Sequence, residues 1–261
     1  LDAVDVTTQK ARTAAFFSGG YAAADIASVT PQPLGLLSSS LDLGNGSIAF
    51  TTFAPISPFD YVSALRAFLP QDGALADGAV AYSNRAIGNI SRPFYPDGVP
   101  GRPPGPLSPS IASWSVFNTG LELDLVYPQT ALFVASYLQE IGLTVSLDGT
   151  ELPPIGEAPR NCTGIDRLPN GISLFGGSVP IYRGGTLVGA IGASGDGTDQ
   201  SDLVAFLGLH NAGVTLGGAI GNAATGIRAD NLVPQGARLL YVQCPQAPFL
   251  NSNEQYVCEG K

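Results

Sequence analysis

The stretch "GGSVPIYRGGTLVGAIGASGDGTDQSD", Gly176 to Asp202, carries eight glycines in twenty-seven positions, and its reading decides the fold. Two apolar runs, Val179 to Tyr182 and Thr186 to Ala193, flank Arg183-Gly184-Gly185. Glycines at such a turn supply the positive φ of a tight hairpin, so the stretch predicts two antiparallel strands. Gly189 and Gly192 are different, because they lie inside the second run. A glycine within a strand weakens it, and marks a bulge or a place where another backbone or a flat ligand comes close.

Around the hairpin the pattern alternates between helix and strand without a strict βαβ rhythm. Residues 4–17 read as a helix that Ser18-Gly19-Gly20 ends. Residues 47–53 read as a strand, and 57–70 as a helix with Ser57 as cap, Pro58 at its first position and Pro70 as stop. Seven prolines between Arg92 and Trp114 predict an extended segment, pinned by Phe94, Tyr95 and Trp114. "GLELDLVY" (120–127) alternates as a strand does, and Pro128 opens a helix to about residue 142. After the hairpin come a helix from Asp199 to Asn211 and a last strand over 237–244. The fold class is therefore α+β, an antiparallel sheet flanked by helices. One domain over 1–261 is expected, with a long loop-rich insertion at about 20–170.

Composition removes several function classes. Glycine (33) and proline (21) are abundant, yet 44% hydrophobic residues argue for a folded, loop-rich protein rather than a disordered one. The net charge is −9 and the chain has two lysines, Lys10 and Lys261, so no basic stripe exists to bind nucleic acid. No apolar run is long enough to span a membrane. The lack of any methionine predicts a mature end cut from a precursor. Cys244 and Cys258 are expected to pair in an oxidising compartment, which leaves Cys162 odd, either a free thiol or tied to another polypeptide. Sequons at Asn45, Asn89 and Asn161 matter only in a glycosylating host.

Candidate chemistry is sparse. Gly189, Gly192 and Gly195 do not form a dinucleotide fingerprint, and "GASGD" has Asp196 where a nucleophile elbow needs glycine. Asp196, Asp199 and Asp202 read as turn and helix-N-terminal acids rather than a cation site. The one histidine, His210, sits near a helix end and reads as a capping or core residue. For a non-covalent haem the conceivable iron ligands are His210, Tyr182 and Tyr241. Binding is expected rather than catalysis, for want of an acid–base set.

The hairpin also resembles the core signature of the GlcG/HbpS-like family. Gly176, Gly177, Val179, Pro180 and Ile181 match its first strand, Gly189 to Gly192 with Ser194 and Gly195 the second, and Asp202 the acid before the helix. "QKARTAAFF" resembles the family's other landmark, a helix reading K-A-x-T-A-x-F. The resemblance implies an α+β fold, symmetric oligomers and, in some members, haem or iron binding. It suggests a secreted or periplasmic protein holding haem b, with Gly189 and Gly192 admitting the flat ligand. The alternatives are an assembly subunit that keeps the fold without the ligand and, ranked lowest, a cofactor-dependent enzyme subunit. Two departures mark this chain: little precedes the opening helix, and a long stretch separates the two landmarks. They predict a missing N-terminal part of the family domain, supplied by another polypeptide that completes the sheet.

Overall fold

A computed structural model of the chain describes residues 3–28, 40–42, 47–49, 58–69, 78–108, 111, 114, 136–138, 140–141, 144–145, 163–195 and 197–261. In chain order these hold α1 (Ala3–Ser18), α2 (Ala22–Ser28), β1 (Ser40–Asp42), β2 (Ser47–Ala49), α3 (Pro58–Phe68) and α4 (Asn84–Ile90). They continue with β3 (Thr144–Val145), β4 (Ser178–Arg183), β5 (Thr186–Gly192) and α5 (Thr198–Thr215). The α+β expectation holds. β4 and β5 form the antiparallel hairpin, with Val179 opposite Ile191 and Ser178 opposite Gly192. A small second sheet runs in the order β2-β1-β3, and Leu41 pairs with Ile48 on one side and Val145 on the other.

Helix α1 is the hairpin's main cover. Its buried residues Lys10, Thr13, Ala14, Phe17 and Ser18 recur at helical spacing, and the helix lies across both β4 and β5. Its polar side chains also bind neighbouring loops. Thr13 Oγ1 accepts the Ser173 amide at 2.9 Å, Gln9 Nε2 donates to the Asn170 carbonyl at 2.7 Å, and Ser18 Oγ accepts the Tyr82 amide at 2.8 Å. Helix α5 packs on β4. One apolar core joins Phe16 and Phe17 of α1, Leu65 of α3, Ile87 of α4, Val179 of β4 and Phe206 of α5.

The two strand glycines part company. A Cβ added at Gly192 would run into the Thr7 carbonyl and stand 3.2 Å from the Ala11 amide nitrogen, so here strand backbone meets helix backbone. At Gly189 nothing lies within 4 Å of an added Cβ, which corrects the expectation of close packing there. The reason is the pleat. Residues three apart on a strand point to opposite faces, so both cannot meet the same helix.

Residues 237–244 form no strand, and the chain bends at Tyr241, a second correction. Burial alternates as the sequence suggests, with Leu239 and Tyr241 buried and Leu240 exposed. The backbone bonds, however, go elsewhere. The Leu239 amide donates to the Leu232 carbonyl at 3.0 Å, the Tyr241 carbonyl accepts from Ser83 Oγ, and the Gln243 amide donates to Asp202 Oδ2 at 2.9 Å. Side chains and a turn take the place of a ladder.

The proline-rich segment is pinned as expected but is not extended: it turns back on itself, the Tyr95 amide donating to the Pro103 carbonyl at 2.8 Å and the Gly105 amide to the Arg92 carbonyl at 2.9 Å. Tyr95 stands edge-on to Phe68 with ring centroids 4.8 Å apart and donates its hydroxyl to the Ala237 carbonyl at 2.7 Å; Trp114 Nε1 donates to the Ser91 carbonyl at 3.0 Å. Asn89 is buried on α4, so that sequon has no room for a glycan. Residues 136–138 and 140 are helical within the expected 128–142 helix. The expected strand at 120–127, with Ser57, Pro70, Asn45, Asn161, Cys162 and Asp196, lies outside the described residues. No helix among the described residues is long and apolar enough to cross a membrane.

Cys244 and Cys258 stand at disulfide distance, 14 residues apart in sequence. Replacing Cys258 with serine is expected to lower stability by about 3 kcal/mol on the chain-entropy scale, measured by urea unfolding. Gly192→Val is expected to destabilise by about 1–3 kcal/mol through overpacking against α1, whereas Gly189→Ala leaves the melting temperature nearly unchanged. Thermal melts of the two variants check the contrast.

Candidate functional site

At the base of the hairpin a set of charges is buried. Asp202, in the first turns of α5, is fully enclosed and its carboxylate receives Arg85 Nε at 2.8 Å, the Gly177 amide at 2.6 Å and the Gln243 amide at 2.9 Å. Arg85, from α4, reaches Asp199 Oδ1 with Nη2 at 2.8 Å as well. Lys10, on the buried face of α1, donates to the Ala193 carbonyl at 3.0 Å and to Ser194 Oγ at 3.4 Å. Desolvation pushes the Asp202 carboxyl above its ordinary 3.8, against the pull of Arg85 and the two amides, and pushes the Lys10 ammonium below 10.5.

The glycine pair that opens the signature makes this cluster possible. Gly177 has φ +110°, a left-handed conformation that side chains rarely adopt, and an added Cβ would stand 2.6 Å from Ser201 Cβ. At Gly176 a Cβ would sit 2.7 Å from Asp202 Oδ1 and 2.9 Å from Arg85 Nη2. This answers why the sequence spends two adjacent glycines before β4. They clear the space in which the arginine meets the aspartate.

Beside the cluster opens a cleft of about 170 Å³, lined by Arg85, Asn89 and Arg92 from α4 and its end, Trp114 of the proline-rich segment, Leu174 to Gly176, and Thr198 at the start of α5. Its charges are unequal in their partners. Arg85 is matched by two carboxylates. Arg92 has only a hydrogen bond from Nη1 to the Asp97 carbonyl at 3.3 Å, and the Asp97 carboxylate is taken by Arg102 at 3.2 Å. Among the described residues Arg92 has no counter-ion.

None of the candidate ligand residues from sequence, Tyr182, Gly189, Gly192, His210 and Tyr241, lines this cleft. Tyr182 and Tyr241 are core residues whose buried hydroxyls have no hydrogen-bond partner among the described residues, and burial raises both phenols above their ordinary 10.0. Tyr241 packs edge-on to Phe206 with centroids 6.3 Å apart, under the Arg228 guanidinium. His210 is half-buried on α5, Gly192 is closed by α1, and Gly189 faces open space. No group of three His, Cys, Asp or Glu side chains among the described residues is arranged to hold a metal ion.

Sequence reasoning took Asp202 and Asp199 as ordinary helix-N-terminal acids and missed the cluster. The signal was present in α1. Lys10 falls on the stripe that carries Thr13, Ala14 and Phe17, and a lysine on a buried face requires compensation nearby.

Comparison with known proteins agrees with the signature. Residues 150–210 match the HbpS-like family, described as haem degrading protein HbpS-like. This segment is HbpS-like. It contains the hairpin, the glycine pair, Asp202 and four residues of the cleft wall, Leu174, Phe175, Gly176 and Thr198. No curated protein and no solved structure gives a significant match to the chain.

The haem that the family description brings with it does not fit Tyr182, Tyr241 or Gly192. The two phenols are enclosed in the core and held neutral, and α1 occupies the face of Gly192. The cleft is also smaller than the ~300–1,000 Å³ of sites that enclose drug-sized ligands, so it does not surround a macrocycle.

Arg85→Ala leaves the Asp202 carboxylate buried without its main cation. A loss of about 3–5 kcal/mol is expected in urea unfolding, the usual cost of breaking one side of a buried pair.

Proposed function

We propose that this is an exported HbpS-like binding protein that holds a small ligand in the Arg85–Arg92–Trp114 cleft without turning it over. The observation that carries the reading is Arg92, a cation with no counter-ion among the described residues, on the wall of a cleft partly built by the HbpS-like segment. In a chain of net charge −9, such a site favours an anion over every other class of small molecule. Non-catalytic binding is supported by the fate of the ionisable groups. Arg85 and Asp202 are spent on each other and on backbone amides, and Lys10 on the Ala193 carbonyl and Ser194 hydroxyl, which leaves the cleft without a buried acid–base pair of its own among the described residues. Export is supported by the Cys244–Cys258 pair, since such bonds persist in oxidising compartments.

The competing reading, an assembly subunit that keeps the fold without a ligand, draws on the family landmarks being consumed in packing. A thermal-shift titration separates the two. With hemin, inorganic phosphate, succinate and benzoate as probes, at least one small anion is expected to raise the melting temperature by mass action on the folded state. Tyr182→Phe and Tyr241→Phe are expected to leave the hemin absorption spectrum unchanged. A flat response to all four probes would leave the assembly reading in place, and a hemin band lost with either tyrosine would restore a haem site in the core.

A further inference from the structure

Resting on that reading, we propose that the cleft recognises an aryl carboxylate, a single aromatic ring bearing one carboxylate group. Size is the first argument. A cavity of about 150 Å³ lined by apolar side chains takes up benzene, so about 170 Å³ suits one six-membered ring and little more. The walls are the second, because Trp114, Phe175 and Leu174 offer aromatic and aliphatic surface on which a ring stacks.

The polar groups decide the rest. Arg92 supplies a planar guanidinium whose fork matches the two oxygens of a carboxylate. Asn89 also lines the cleft, and its side-chain N–H groups are donors that a ligand oxygen can take. Thr198 begins the 18-residue α5, whose N-terminal end carries partial positive charge.

Charge count sets the valence. Asp199 and Asp202 beside the cleft are balanced by Arg85, which holds both, and by the Lys10 ammonium, which feels the Asp202 charge, so one net positive group, Arg92, faces the ligand. A monoanion matches it. A dianion meets the partly exposed Asp199 with a charge left over.

The chain's one tryptophan is Trp114, so its emission reports directly on this cleft. Titration of the full chain with benzoate is expected to change that emission saturably. Benzyl alcohol, the same ring without the charge, is expected to bind at least about tenfold more weakly, and Arg92→Gln to raise the benzoate Kd by about tenfold. No saturable change with benzoate, or equal binding of benzyl alcohol, overturns the proposal; the comparison on unmodified protein decides the matter even if the variant does not fold. If a folded Arg92→Gln protein binds benzoate as tightly as the parent, the proposal also falls. Saturation by inorganic phosphate or succinate with none by benzoate would sink the aryl carboxylate while keeping the binding reading. Silence from all three probes in emission and in melting temperature would sink both.

Discussion

Five parts of the chain meet at one carboxylate. Asp202 belongs to α5, and onto it converge Arg85 from α4, the Gly177 amide ahead of β4 and the Gln243 amide of the C-terminal segment, with the Lys10 ammonium of α1 close enough to feel its charge. A buried ion cluster of this kind is a weak source of net stability, because desolvation offsets most of the attraction. Its effect is on arrangement. Only a fold that brings all the donors together leaves the charge satisfied, and every slip of register or helix position strands it. The hydrophobic core makes the chain collapse; Asp202 dictates which collapsed form is acceptable.

From this angle the family landmarks acquire physical roles. The lysine of the opening helix and the aspartate in the first turns of α5 are parts of the same cluster, and the glycine pair is the space around it. Gly192 lets α1 descend onto the sheet, which brings Lys10 to the end of β5. The signature is therefore read more naturally as the specification of a scaffold than as a ligand set. The ligand chemistry lies alongside, where α4 and the proline-rich segment contribute residues that no short motif contains.

How much was legible followed from the range of the interactions. The hairpin, α1 and α5 were visible because turn glycines and helical spacing are local signals. Residues 237–244 show the limit of that reasoning: alternation correctly told which side chains turn inward, and said nothing of where the backbone hydrogen bonds go. The pairing of Arg85 with Asp202 was not visible, since charge alone does not name a partner so far along the chain. The cleft was least legible of all. Its walls come from residues 85–92, 114, 174–176 and 198, and only folding makes them neighbours.

The burial of Lys10 gives the molecule a built-in chemical clock. The chain has just two lysine side chains, and this one is 4% exposed, with its nitrogen hydrogen-bonded to Ala193 and Ser194 and its charge disfavoured by burial. An acylating reagent added to the folded protein finds the amine shielded beneath the helix that bears it. Acylation at this position thus proceeds only as fast as α1 lifts from the hairpin. Mass spectrometry of the modified chain would time an opening event that bulk unfolding signals average away.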